Sequence, residues 1–435
     1  MLKTTSHTKS SLNSLITKLL FYPISFVTSI LIARFLVEPE ARGEFSFLLL
    51  IASFSVPILS FGSGIGITYN LSKSKFSVEE SAFTLLVNGL LHGLLAMIIV
   101  FVLWKMQWLG DSGKDIPLNN ILILLIILPF GALSFYFNRL LVGKSYFVFT
   151  NRFSIVQAIV YIIGISVLIG YFDLGIKGGL LSVLAYNIAI SGTFMFFSLR
   201  KYPMQWKWNK HFFKEIYSYG IKGWLGDLAL RLNLRVDQMI LGIYSAYALG
   251  IYGVSVLLAE VLWIIPDSLG PILMNKIAQE ESTEKRNELV YKLHRVTFYG
   301  SLALSVLGAV VGYFLIPVLF GEKYEKAILP FLLVLPGVVV FSSTKIMTKL
   351  FSGTGKVIYT TSIILIGTGV SVSSYFILIP MYGAVGAAIG SSIGYSTASI
   401  AALLLAVRKY DLNFSELFLI HIGDAKWLIQ KVKKR

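Results

Sequence analysis

Twelve apolar runs of about 20 residues punctuate this chain, at 12–36, 43–68, 82–104, 119–142, 150–171, 178–199, 217–243, 248–272, 295–319, 327–350, 357–379 and 384–407. Each is long enough to cross a hydrocarbon layer of about 30 Å as an α-helix. Inside lipid every backbone N–H and C=O must find its partner within the protein, so the pattern predicts an all-α integral membrane bundle. Composition agrees: 56% of residues are apolar, 14% are charged and the mean hydropathy is +0.76, far from the roughly 25% charged content of soluble domains. Without cysteine the chain has no disulfide framework, thiolate chemistry or Cys-based metal site, and no metal ligand set is predicted.

The formal charge of +16 is distributed as a topology signal and not as a nucleic-acid face. Six of the 38 lysines and arginines fall in odd-numbered connections (Arg42, Lys105, Lys114, Lys177, Lys323, Lys326) and four inside spans (Arg34, Arg231, Arg235, Lys345). The remaining 28 occupy the termini, the even-numbered connections and the span ends beside them. By the positive-inside rule both termini are cytoplasmic. The opening stretch is basic and then apolar for too long to be a signal-peptide core, so it reads as a retained first span kinked at Pro23.

Charge inside the apolar runs concentrates between Gly220 and Pro271. The seventh run, GIKGWLGDLALRLNLRVDQMILGIY, carries Asp227, Arg231, Arg235 and Asp237. Near the middle of a spanning helix each such group costs roughly 2.5–3.5 kcal/mol, so it faces a bundle interior or a wet cavity. Asp227, Arg231 and Arg235 share one helix face at i, i+4, i+8, and Asp237 points off it. The eighth run adds Glu260 and Asp267, the latter between Pro266 and Pro271.

The two halves resemble each other. RGEFSF (42–47) matches LGIYGV (249–254), RLLVGKSYFVFT (139–150) matches KLFSGTGKVIYT (349–360), and LGIKGGLLSVLAYN (174–187) matches YGAVGAAIGSSIGY (382–395). The aligned glycines are offset by 207, 210 and 208 residues (Gly43 to Gly250, Gly143 to Gly353, Gly175 to Gly383). Six spans separate equivalents, which makes a parallel repeat and predicts two pseudo-symmetric six-helix lobes around a central cavity. The expected division is an N-lobe over 1–199, a cytoplasmic linker over 200–216, a C-lobe over 217–407 and a basic amphipathic tail over 408–435. The connection 275–295 reads as an amphipathic helical extension, with Glu281/Lys285 and Glu288/Lys292 at i, i+4.

The segments ILIARFLVEPEARGEFSF, RVDQMILGIY, LGIYGVSVLLAEVLWIIPDSLGPIL, FSGTGK and IPMYGAVGAAIGSSIGY, in this order, resemble the polysaccharide flippases of the multidrug/oligosaccharidyl-lipid/polysaccharide exporter superfamily across nearly the whole chain. The resemblance implies translocation of undecaprenyl-diphosphate-linked oligosaccharide from the inner to the outer leaflet of a bacterial inner (cytoplasmic) membrane, for O-antigen, capsule or a related polymer. It also implies that the protein is not an enzyme, and that a polysaccharide polymerase and other assembly proteins act beside it. No cofactor is called for, beyond H+ or Na+ coupling. Composition and periodicity alone show a two-lobed transporter-like bundle.

Moving a lipid-linked diphosphate through hydrocarbon takes a shielded cavity with cations for the phosphates and hydrogen-bonding groups for the sugars. Arg231 and Arg235 in span 7, Arg34 near the outer end of span 1, and Arg139 and Lys345 toward the inner ends of spans 4 and 10 can supply that charge, arginine through its planar fork. Plainer readings stand beside these. Arg34, Arg139 and Lys345 are also placed to snorkel to headgroups. Asp227 is either the neutralising partner of Arg231 or a coupling group, and Asp237 and Glu260 are either structural carboxyls or coupling sites. Asp267 is placed to cap a broken helix end. His92, Asn88, Asn138, Gln157, Asn187, Asn233 and Gln238 could line a sugar path, although interhelical hydrogen bonding accounts for most such residues. GSGIG (62–66) is no phosphate loop and reads as close helix packing. Two other functions compete. A drug or cation antiporter of the same superfamily is disfavoured by a cationic cavity. A membrane-embedded polysaccharide polymerase or ligase is disfavoured by the short outer loops.

Overall fold

The computed structural model describes residues 23–420. Each predicted span has a helical counterpart among them. In order these are α1 (Pro23–Leu36), α2 (Pro39–Leu59) with α3 (Ser63–Ser72), α4 (Val78–Lys105), the short α5 (Asp111–Lys114), α6 (Leu118–Gly143), α7 (Phe147–Ile165) with a π-helical turn (Ser166–Tyr171), and α8 (Gly175–Lys201). Then come α9 (Lys210–Tyr244), α10 (Ala246–Val261), α11 (Ile264–Gln279), α12 (Thr283–Phe320), a 3-10 turn (Glu322–Ala327), α13 (Ile328–Gly353), α14 (Val357–Tyr410) and α15 (Phe414–Phe418). The first part of the predicted first span and residues 421–435 of the predicted basic tail lie outside the described residues.

By length and composition eight of these helices can cross a membrane, or nine when α10 and α11, bent by 47° to one another, count as one span. Helix α9 misses that test because of its charges, and α1 because its described part is short. Helix α14 counts twice. Its 54 residues would run about 80 Å if straight, more than two hydrocarbon layers. It is broken at Gly383, whose φ of 53° and ψ of −125° fold the second limb back on the first. Tyr375 and Ser391 then hydrogen-bond across the hairpin at 2.8 Å.

Side-chain caps set some helix starts. Ser77 caps α4 by accepting from the Glu80 N–H, with Glu79 and Glu80 in the first turn, and Ser282 caps α12 through the Lys285 N–H. Glu288 and Lys292 pair on α12 as predicted, whereas Glu281 precedes the helix and has no such register with Lys285. The GSGIG stretch does pack closely, yet it also interrupts its span. Gly62 sits at φ 76°, and a Cβ there would lie 2.2 Å from the Gly220 carbonyl oxygen.

The chain forms two compact units, residues 1–231 with 241–250, and residues 232–240 with 251–435. The changeover therefore falls inside α9 and α10, beyond the 200–216 segment that the sequence offers as a linker. That segment is tied into the first unit, Gln205 N–H donating to Glu79 O and Asn209 N–H to Thr84 Oγ1, both at 2.9 Å. Each unit has its own central helix, α6 in the first and α13 in the second, and these are the most buried of the apolar spans. Both are 26 residues long and both end on the repeat-equivalent glycine, Gly143 or Gly353. The turns that follow repeat the same three backbone hydrogen bonds 210 positions apart. Gly175 and Gly383 share a φ of 53°. Outward faces of α4, α7 and α12 present apolar side chains such as Ile98, Ile163 and Phe314 where lipid would lie.

Candidate functional site

Helix α9 carries the charged stripe and divides it between the units. Asn209 starts the helix by accepting from the Phe212 N–H, and Ser245 ends it with an extended backbone. In the first unit Arg231 Nε donates to Asp227 Oδ2 at 2.8 Å, the one-turn pair that the spacing predicts. Arg139 of α6 lies within electrostatic reach of both and stacks its guanidinium over Phe135, 5.3 Å from the ring centre. Two positive groups and one negative therefore share this part of the unit.

Two cavities adjoin in the first unit. The larger, about 420 Å³, lies among α1, α2, α7 and α8, and its wall includes Ser25, Ser29, Arg42, Tyr161 and Tyr186. The smaller, about 320 Å³, is walled by α2, α6 and α8 with Ser53, Ser134, Phe135, Asn187 and Arg231. Leu49 and Val183 belong to both walls. No Asp or Glu lines either one among the described residues. Arg231 thus faces a void with one edge of its guanidinium held by Asp227.

Arg235 is placed differently. Its two terminal nitrogens grip Glu260 of α10 at 2.6 and 3.1 Å, and Nη1 also reaches the Leu234 carbonyl. The fork expected to hold phosphate is occupied by a carboxylate, and Glu260, which has no basic neighbour on its own helix, finds one on another. Asp237 is buried and accepts from Tyr252 O–H and Gln238 N–H, both at 2.8 Å. Tyr252 and Tyr375 both reach Ser391, so this network joins α9, α10 and the two limbs of α14. Lys345 Nζ lies 2.7 Å from Asp267 Oδ1 and 4.2 Å from the Trp263 ring centre. Asp267 stands in the first turn of α11 but holds Lys345 instead of capping the helix. Arg34 is exposed at the end of α1 and lines neither cavity.

The candidate sugar-path residues separate in the same way. Asn88 and His92 join Tyr136, Tyr217 and Ser63 in an interhelical knot, and Asn233 donates to Thr368 at 2.9 Å. Asn187 does line a cavity. Gln157 is buried with neither amide atom bonded. Sequence reading missed Arg42, which it placed in a connection. The residue is buried in α2, with Nη1 on the Gly250 carbonyl and Nη2 on Ser29 Oγ. It also missed Tyr161 and Tyr186, although the stripe Ser25, Thr28, Ser29 on α1 at i, i+3, i+4 marks a polar face opposite them.

The sequence profile of a family described as "Polysaccharide biosynthesis protein" matches residues 31–329 of the 435. The chain belongs to this family. Its matched span covers α2 through α12, and so includes the whole charged stripe, the smaller cavity and all of the larger one but the α1 wall residues before Leu31. A curated relative, the "Uncharacterized membrane protein MJ1068" of Methanocaldococcus jannaschii, is 24% identical over 187 residues, 42% of this chain and 37% of that protein, so the chain matches little more than a third of that relative's length. Among solved structures, "Lipid II flippase MurJ, inward closed conformation" superimposes with a TM-score of 0.76 at 13% identity, over 94% of this chain and 89% of the other. The inward-facing conformation of a multidrug resistance MATE family transporter of the MOP superfamily gives 0.67 at 13% identity, over 90% and 94%. At such identities the likeness shows the fold: this member of the family is a multi-pass helical membrane protein with the fold of MOP superfamily exporters.

Proposed function

We propose that the protein is a flippase that moves undecaprenyl-diphosphate-linked oligosaccharide from the inner to the outer leaflet of a bacterial inner membrane, for O-antigen, capsule or a related polymer. Both termini are cytoplasmic in this reading, transport is by alternating access of the two halves, and a polysaccharide polymerase with further assembly proteins consumes the exported unit. No bond is made or broken. The observation that carries the reading is Arg231. It lines a cavity whose wall holds no carboxylate among the described residues, and Asp227 fixes it through Nε alone, so the Nη edge of the fork suits phosphate oxygens. Arg139 adds positive field beside it. Asp237, Glu260, Arg235 and Lys345 hold helices together, because their polar atoms already meet partners in the protein.

With Arg42 and Arg231 in their walls and no carboxylate there among the described residues, the cavities repel the cationic cargo of a drug antiporter and attract an anion, which favours the phosphate reading. In a strain that depends on this protein for surface polymer, Arg231→Ala at wild-type membrane abundance abolishes export. Normal polymer from that variant contradicts the reading.

A further inference from the structure

We propose that the larger cavity, among α1, α2, α7 and α8, is a sugar-binding subsite that receives the glycan of the cargo while its diphosphate lies at Arg231. The inference rests on the flippase reading and adds which side chains hold the sugar.

A pyranose presents an apolar C–H face and a rim of hydroxyls, so it is bound by aromatic walls and by groups that both donate and accept. The cavity offers both. Tyr161 of α7 and Tyr186 of α8 stand 6.1 Å apart with their planes tilted by 55°. Both residues line the void with Ser25, and none of the three hydroxyls is hydrogen-bonded within the protein among the described residues. A phenol or hydroxyl left idle in an apolar bundle forgoes a bond that an interhelical partner would normally supply, as Tyr136, Tyr217 and Tyr252 show elsewhere in this chain.

Gln157 points the same way. It lies one turn before Tyr161 and next to Ala158 of the wall, is 3% exposed, and leaves both amide atoms without a partner. Buried amides are nearly always bonded, and one with neither atom used is explained by a ligand or an ordered water. Arg42 completes the wall. Its terminal nitrogens engage Gly250 O and Ser29 Oγ, so it acts as a fixed positive wall. With that charge and no carboxylate in the wall, the subsite accepts neutral or acidic sugars and disfavours amino groups. Its volume of about 420 Å³ falls within the roughly 300–1,000 Å³ of small-molecule sites. The shared wall of Leu49 and Val183 places sugar and diphosphate side by side, as one molecule needs.

The test uses the full chain purified in mild detergent from cells with an active glycan pathway. Mass spectrometry of co-purifying lipid gives the amounts of bare undecaprenyl diphosphate and of its glycosylated forms for the wild type, a Tyr161→Phe/Tyr186→Phe double variant and Arg231→Ala. The double variant removes only hydroxyls that bond nothing in the protein, so its thermal unfolding should match the wild type. We expect it to retain bare undecaprenyl diphosphate normally and about tenfold less glycosylated lipid, the size set by two lost hydrogen bonds. Arg231→Ala should lose both lipids. Wild-type retention of glycosylated lipid by the double variant overturns the subsite and leaves the flippase reading in place. Failure of the wild-type protein to retain either lipid, or full retention of both by Arg231→Ala, overturns the reading on which the subsite rests.

Discussion

Arg235 and Glu260, 25 positions apart and on different helices, close a two-pronged ion pair at 2.6 and 3.1 Å. The geometry is the planar fork-to-carboxylate match that gives arginine its preference for oxyanions. In this protein the oxyanion is supplied by the chain itself, and the pair fastens α9 to α10.

Removing one member of that pair should harm folding more than removing both. The side chains keep 38% and 23% of their accessibility, so the loss for Arg235→Leu is set at about 1–2 kcal/mol, below the full penalty for a buried unpaired charge. Thermal midpoints in detergent check this: the Arg235→Leu/Glu260→Leu double variant should recover part of the loss and still export polymer. A folded but inactive double variant would make Arg235 a cargo ligand after all.

Tyr252 serves both Asp237 and Ser391 at 2.8 Å. Tyr252→Phe should lower stability by about 1–3 kcal/mol, because it leaves a buried carboxylate short of a donor. Ser391→Ala, which leaves that donor in place, should cost less, and the comparison is a pair of melting curves.

Gly43 and Gly250 are repeat equivalents that meet. A Cβ on Gly43 would sit 1.7 Å from Ala246 O and one on Gly250 1.8 Å from Pro39 O, backbone atoms with no rotamer to move. Gly43→Ala should therefore leave little folded protein in the membrane. Gly226→Ala on α9, where nothing lies within 4 Å, should be tolerated or gain up to about 1 kcal/mol in helix propensity. Membrane abundance of the two variants separates these outcomes.

The turns after α6 and α13 each need a left-handed residue, Ser145 at φ 63° and Gly355 at φ 78°. Nothing lies near a Cβ added to Gly355, so Gly355→Ala should cost about 1 kcal/mol from backbone strain alone. Ser145→Gly should be neutral or stabilising. Opposite shifts in thermal midpoint would support the paired reading, and equal shifts would refute it.

The spans were legible because crossing hydrocarbon demands length and apolar composition, both of which are local. The Asp227–Arg231 pair was legible because one helical turn brings those residues together whatever surrounds them. The repeat alignment pairs Gly143 with Gly353, and α6 and α13 end on those two residues. What the sequence hid depends on which helices become neighbours. Arg235 finds Glu260, Lys345 finds Asp267 and Arg42 finds Gly250 only once distant segments pack. The break at Gly62 was hidden too, since its glycines fit a tight helix crossing as well as a left-handed turn. Tyr161 and Tyr186 went unnoticed because an aromatic residue in an apolar run resembles core until the space beside it is known.

The most direct test of the account is leaflet transfer by the purified protein in vesicles, measured as the fraction of undecaprenyl-diphosphate-linked glycan that becomes accessible to a membrane-impermeant glycosidase. Wild type and Arg235→Leu/Glu260→Leu should transfer, Arg231→Lys should transfer more slowly because a point charge replaces the fork, and Arg231→Ala should stay at the level of protein-free vesicles. Transfer by Arg231→Ala at the wild-type rate would contradict the claim that this guanidinium receives the phosphate-bearing cargo.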